Sequence, residues 1–544
     1  MPSVPRAETV LWAGSFAVVA ALVLPPLVAV LAAALGAPSA GFMPLHRPDI
    51  VLNTLLFGMV MSVGGLLIGG ALALALAPGI PGHAMLERLA VMPLYLTPLL
   101  TAIGWSWLAS PHSGLLNLLL RDTLGLPLTF NVVSASGAMF VGALAAAPLP
   151  FLLLTDALRG IDESLREAAR VHGGTAALVL RRVTLPLVLP AALAAVLLVF
   201  VQALGMFSIP AVLGLPAHFG VATTEIYQLL ESYPPRVAEA TEWGLLLLAL
   251  SAGLLLAQTA LLGRRSFATV GGRAFRPSAR TPRARWLRAG FAMLYVALAT
   301  LLPLLALIWG ASIRFVTADI RLMRFTAQHF VTVLIDYPKT WIAAGNSMLL
   351  GVLTATIVCT IGFGVSWVVL RGRRRGRAML DQLSLAPLAM PAMVFALGLL
   401  WVYVAVPLPI YGTLAILLIA YVTHYLPFGV RASAAALRQL HPELEEAARV
   451  AGASWLYTIR RVTLPLLRPA LTAAWALLFV MAMQEVSASI LLYSSRSIVL
   501  SVAVFDLWEN GSSGDVAALG AVQLVAGFVV LALLLRARQR ARLA

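Results

Sequence analysis

Apolar runs of about 20 residues or more recur from one end of this 544-residue sequence to the other. As a helix, a run of that length crosses the roughly 30 Å hydrocarbon core of a bilayer. Within hydrocarbon every backbone N–H and C=O must be paired inside the chain, which leaves helices or a closed barrel. The runs are continuous rather than alternating, so the sequence predicts an all-α polytopic membrane protein. Composition agrees: 61% of the residues are hydrophobic and only 11% charged, with a mean hydropathy of +0.94, whereas soluble domains carry about 25% charged residues.

Six runs precede a linker, at about 10–35, 50–77, 89–108, 132–158, 185–213 and 244–262, and six follow it, at about 289–313, 341–370, 383–404, 410–436, 464–492 and 516–535. The expected organisation is a first repeat over 1–262, an Arg-rich linker over 263–288 and a second repeat over 289–544, with about 12 transmembrane helices in all. The run at 10–35 is too long for the apolar part of a signal peptide and is read as a retained first span. The linker holds eight Arg between Pro and Gly-Gly turns and has no apolar face, the composition of a solvated connector.

The net charge of +16 reports topology. Of the 38 basic residues, 30 fall on the side that holds both termini, the linker and 371–377, and eight fall on the other. By the positive-inside rule the first side is cytoplasmic. The Arg residues lie between apolar runs without aromatic interleaving, so nucleic acid is not an expected partner. Cys359 is the only cysteine, which excludes an internal disulfide.

One polar stretch occurs twice. Glu167-Ala168-Ala169, three residues, Gly173, nine residues, then Val183-Thr184-Leu185-Pro186 is matched by Glu446-Ala447-Ala448, three residues, Gly452, nine residues, then Val462-Thr463-Leu464-Pro465. Asp162 is a helix cap, and Ser164 with Glu167 has the spacing of a capping box; the second copy starts on Pro442, suited to the first helical position. The alanines keep a surface small, and the glycines fit a turn with positive φ. Helix, glycine turn, second short helix is the expected local form. Pro186, Pro190, Pro465 and Pro469 fall in the first turns of the following spans, where a proline aims a helix. Other pairs relate the halves: Asn53-Thr54 to Asn346-Ser347, Gly104 and Trp107 to Gly398 and Trp401, and Pro150-Phe151 to Pro427-Phe428. Six spans return each half to the same side, so the repeats run in parallel.

The twice-repeated stretch resembles the Glu-Ala-Ala loop of permease subunits from binding-protein-dependent ATP-binding-cassette importers. The duplicated layout is similar to the fused permeases for ferric iron, thiamine and 2-aminoethylphosphonate. The resemblance implies a type I importer permease in the bacterial inner membrane, with both termini cytoplasmic. It implies a dimer of ATP-binding-cassette subunits docked on the loops and a periplasmic or lipid-anchored solute-binding protein on the other face. Glu167, Ala168, Ala169, Gly173, Glu446, Ala447, Ala448 and Gly452 become the ATPase-coupling residues. ATP is then used by the partner subunit, and this chain binds no cofactor. No Gly-x-x-x-x-Gly-Lys-Ser/Thr, His-Glu-x-x-His or Cys pair is present, so neither a catalytic residue nor a metal ligand is expected and the chain reads as a transport subunit rather than an enzyme.

Glu485 stands where the first half has Met206. An ionisable residue within an apolar run is a candidate for the translocation path, or pairs with a neighbouring base or hydroxyl to fix packing. The competing class is a 12-helix secondary transporter, which lacks here the intramembrane carboxylates of proton coupling. Segments 225–242 and 506–515 carry acidic residues and are expected to face the periplasm. The stretch from Phe207 to Ala217, Thr223 to Tyr227 and Thr269 to Pro277 look like fused ferric iron permeases, although those often carry an acidic residue at the place of Met206. Ferric iron ranks first as substrate, thiamine or 2-aminoethylphosphonate second.

Overall fold

The computed structural model describes residues 4–36, 42–76, 79–262, 285–315, 323–372, 375–406 and 409–543. Most of the linker predicted over 263–288 lies outside them. The described residues are helical almost throughout and form no sheet, with one isolated bridge between Ile313 and Phe325. Among them nine helices are long and apolar enough to cross a membrane. A tenth candidate is the pair Arg377–Ala389 and Ala392–Tyr403, bent by 104°.

The two remaining runs explain the difference from twelve. The run at 89–108 is broken into His83–Ala90, a 3-10 turn Met92–Tyr95 and Pro98–Ala109. Its counterpart in the second half breaks the same way, through the 3-10 turn Ala386–Ala389. Pro93, Pro98, Pro387 and Pro391 stand at these breaks, where each removes a donor from the helical ladder. The last run lies on the continuous helix Ser513–Leu543, whose side chains are described mainly up to Gly527, and over that part it stands as a shorter apolar helix.

Two compact units form, and neither is continuous in sequence. One comprises Phe42–Gln228 with Ala249–His329; the other comprises Met1–Gly41, Leu229–Leu248 and Phe330–Ala544. In the first unit, the helix that opens the second half, Arg285–Ser312, packs on Pro98–Ala109. A Cβ added to Gly104 would lie 2.5 Å from the Pro303 carbonyl oxygen. In the second unit the N-terminal helix Val4–Gly36 packs on Ala392–Ala405, and a Cβ on Gly398 would lie 2.5 Å from the Pro26 carbonyl oxygen. Gly104 and Gly398 thus serve one purpose: each admits the backbone of the opening helix of the opposite half.

Small residues also set the main helix pair of each unit. In the second, Lys339–Arg371 packs along Leu414–Arg438, and a Cβ on Gly362 would sit 2.6 Å from the carbonyl carbon of Gly429. In the first, a Cβ on Gly69 would meet the Ala147 carbonyl oxygen at 2.4 Å and Phe151 N at 2.7 Å. In lipid, where hydrophobic burial between helices is weak, such close backbone approach supplies the contact energy.

Candidate functional site

Both Glu-Ala-Ala stretches fold as the same short helix with the same ending. The first runs Glu163–Val171 and the second Pro442–Val450. Asp162 is the N-cap of the first and accepts from the Ser164 N–H at 2.9 Å. Ser164 is therefore already inside the helix, and the Ser164–Glu167 capping box is not the cap. At the other end the Gly173 N–H donates to Arg170 O and the Gly174 N–H to Ala169 O, at 3.0 and 2.9 Å. In the second copy Gly452 donates to Arg449 O and Ala453 to Ala448 O, both at 3.0 Å. This paired closure is a Schellman motif, whose C′ residue must be left-handed; Gly173 has φ +80 and Gly452 φ +87.

The side chains leave these helices bare. Glu167, Ala168, Glu446 and Ala447 are exposed, Ala169 and Ala448 half-buried. A Cβ on Gly173 or Gly452 would meet nothing within 4 Å. Beside them stand Val171, 84% exposed, and Val450, 89% exposed, at the same place in the repeat. Leu165 and Leu444 are exposed in register as well. The same apolar surface is thus shown twice in one register, and the valines were not singled out by the sequence pattern because a single apolar residue in a polar loop carries no signal.

Each loop is joined rigidly to its span. The turns Leu180–Thr184 and Ile459–Thr463 are π-helical, closed by Leu185 N–H to Leu180 O and Leu464 N–H to Ile459 O. Pro186 and Pro465 cannot donate to the carbonyls four residues back and would crowd them; one extra residue in the turn relieves this. The second loop has a further anchor. Glu445 is buried, accepts from Thr463 Oγ1 at 3.0 Å and lies 4.0 Å from Arg371 Nε, while Arg371 Nη2 also donates to Leu437 O and Leu440 O.

The spans that follow do not run as far as their apolar runs suggest. They end at Leu204 and Met483, so Glu485 lies just past a helix end, before the turn Ser489–Leu492, and not deep within the eleventh span. The same clasp holds the unwound segment in each half. Asn53 Nδ2 donates to Gly220 O and Thr54 Oγ1 accepts from Ala222 N; Asn346 Nδ2 donates to Ile498 O and Ser347 Oγ accepts from Leu500 N. Thr223 Oγ1 donates to Met206 O at 2.9 Å, and Ser501 Oγ to Glu485 O at 2.6 Å. Buried non-helical backbone is tolerated because these side chains satisfy it.

Only the second half adds a carboxylate. Glu485, 8% exposed, accepts from Tyr425 Oη at 2.6 Å and from the Ala488 N–H at 3.0 Å. Tyr421 Oη and Ser489 Oγ share a 2.6 Å hydrogen bond alongside, and Ser489 Oγ donates to Glu485 O. Among the described residues Glu485 makes no ion pair; of the partners expected from the sequence, a hydroxyl is the one it has. No group of three His, Cys, Asp or Glu fit for a metal occurs among the described residues. On the face of the late acidic segments, Arg47 lies 3.7 Å from Glu225, and Lys339 lies 3.7 Å from Asp506, which also accepts from Tyr337 Oη. Burial, with the Asp506 carboxylate adding to it, pushes the Tyr337 phenol up to about 12.

Known proteins resemble this chain in sequence. The chain is 27% identical to the ferric transport system permease protein FbpB of Actinobacillus pleuropneumoniae over 451 residues, 80% of this chain and 63% of that protein. It thus spans less than two thirds of that relative. It is 27% identical over 462 residues to a putative ferric transport system permease protein FbpB 1 of Haemophilus influenzae, covering 83% and 71% of the two chains. A putative 2-aminoethylphosphonate transport system permease protein PhnV of Salmonella paratyphi A is 32% identical over 198 residues, 36% of this chain and 73% of that protein. The family model for the inner membrane component of binding-protein-dependent transport systems matches twice, over 65–265 and 347–544. Each match contains one Glu-Ala-Ala helix with its π turn, and the two together span well over half of the sequence: this multi-pass chain belongs to that family of inner membrane components.

Proposed function

We propose that the chain is the permease subunit of an ATP-driven importer, and that two ATP-binding-cassette subunits dock on its two Glu-Ala-Ala helices, one on each. The observation that carries this reading is the repetition of one bare helix, one left-handed glycine and one exposed valine in a single register. Glu167, Ala168, Ala169 and Gly173, with Glu446, Ala447, Ala448 and Gly452, form the coupling surfaces. A push on either helix passes through its π turn into the span behind it, and from there to the segment clasped by Asn53 and Thr54 or by Asn346 and Ser347. ATP is bound and hydrolysed by the partner subunits, and this chain holds no cofactor. The loops face the cytoplasm, together with both termini, and a solute-binding protein delivers the cargo to the opposite face near 225–242 and 506–515.

Ferric iron is the cargo in this reading, supported by relatives named for ferric transport that align over most of the chain. Glu485 marks the second-half wall of the path. A second reading, import of 2-aminoethylphosphonate, has the higher local identity of 32% behind it. Uptake of radiolabelled iron and of labelled 2-aminoethylphosphonate by a strain deleted for this permease, with and without the gene restored, separates them. Restoration of iron uptake is expected; restoration of phosphonate uptake alone would transfer the assignment.

A further inference from the structure

A groove of about 480 Å³ runs between the helices Lys339–Arg371 and Trp455–Met483 of the second half. Arg460 and Arg468 line its end nearer the Glu-Ala-Ala loop, and Leu464, Leu471, Cys359 and Trp475 continue it as an apolar channel. Eight residues overshoot two α turns by about one residue. Arg460 lies within the π turn Ile459–Thr463, whose wider turn takes up that residue, and both arginines line the groove.

Both arginines are exposed, and neither has a hydrogen bond or ion pair among the described residues. Arg468 stands four residues past Leu464, about 6 Å into the apolar run. A cation there is costly unless it reaches an anion at the headgroup level or water. At the far end Trp475 Nε1 donates to Thr356 Oγ1 at 3.0 Å, and the Thr356 and Thr360 hydroxyls donate to their own helix. The channel walls are therefore satisfied, and the two guanidinium groups are the groups left without a partner.

The first half keeps an arginine, Arg181, at the place of Arg460 but not the rest of this lining. In the register fixed by Asn53-Thr54 with Asn346-Ser347, and by the Glu-Ala-Ala repeat, Val63 and Leu67 replace Thr356 and Thr360. Leu189, Leu193 and Val196 replace Arg468, Thr472 and Trp475. Packing shared by both halves does not account for polar residues found in only one of them.

We infer that this groove is a binding site for an anionic phospholipid of the leaflet on the Glu-Ala-Ala side. Its phosphate sits on Arg460 and Arg468, and an acyl chain lies along Leu464, Leu471 and Trp475. Two positive groups at one end of an apolar channel match an amphiphile with a single anionic head, and a free anion would leave the channel unfilled.

Native mass spectrometry of the full chain released from nanodiscs of mixed phosphatidylglycerol and phosphatidylcholine tests this. One phosphatidylglycerol is expected to stay bound under activation that strips phosphatidylcholine. Arg468→Leu should cut that retention about fivefold, the scale of one arginine facing anionic lipid, and Arg468→Lys should keep most of it, which separates lost charge from lost fold. Equal retention by Arg468→Leu, or equal retention of both lipids, would overturn the site. In phosphatidylcholine nanodiscs with inorganic phosphate added, no phosphate adduct is expected; an adduct lost in Arg468→Leu would assign the arginines to a free anion instead. The readout does not depend on which solute the chain transports.

Discussion

The Tyr425 hydroxyl donates to the Glu485 carboxylate at 2.6 Å, across two elements that the sequence separates by 60 residues. In the first half the corresponding turn carries Met206 and has no such clasp, although Thr223 holds its backbone as Ser501 holds that of Glu485. The second half is thus fastened more tightly at the point where its span unwinds. Tyr425→Phe removes a hydrogen bond to a buried charged group, worth about 1.5–3 kcal/mol. Thermal unfolding of the purified chain should show that loss, while Glu485→Gln, which keeps an acceptor oxygen, should show less. A Tyr425→Phe protein as stable as the parent would mean that the Ala488 N–H alone satisfies the carboxylate and the phenol contributes nothing.

How far the sequence carried depended on what each feature needs. Periodic apolar length placed all twelve runs on helices, and the left-handed turns at Gly173 and Gly452 followed from spacing alone, since both are local properties. Where the helices stop was hidden. Apolar residues continue past Leu204, and past Met483 they resume after Gln484-Glu485, so hydropathy does not locate a break held by hydroxyls of Thr223 and Ser501 that arrive from later in the chain. For the same reason the exchange of opening helices could not be read, because Gly104 and Gly398 show small size but not the partner that uses it.

Gly362 tests the packing of the second unit independently of docking. Any side chain there meets the Gly429 backbone, and neither backbone can give way without moving a helix. Overpacking at such a contact costs about 1–3 kcal/mol. Gly362→Ala should lower the unfolding temperature and the yield of folded chain. Retained stability would indicate that the two helices separate more easily than the packing implies.

Glu445 should matter more to the second loop than its exposed neighbour Glu446. Removing its carboxylate leaves Thr463 without an acceptor and loosens the loop from Arg371, at a cost on the order of 2 kcal/mol. Hydrogen exchange over Pro442–Thr463 should quicken in Glu445→Ala and stay near the parent rate in Glu446→Ala. The reverse order would place the anchor elsewhere.

The phenol of Tyr337 gives a pH signature on the opposite face. Its titration is raised to about 12 from an ordinary value near 10. The stabilisation it reflects is fully present below pH 10 and declines as pH rises from 10 through 12. Unfolding temperature should therefore fall more slowly over that window in Tyr337→Phe than in the parent, and parallel curves would show that neither burial nor Asp506 raises the phenol in the folded chain.

The Glu-Ala-Ala helices are the proposed docking surfaces. Gly173 and Gly452 hold left-handed backbone in open space, so Gly173→Val with Gly452→Val strains two surface turns by about 1–3 kcal/mol each and leaves the packed spans untouched. The direct measurement is co-purification of the ATP-binding subunit with the tagged double variant, alongside thermal unfolding of the same preparation. The expected result is a folded chain from which the ATPase is largely lost; full ATPase association together with undiminished transport would contradict the account.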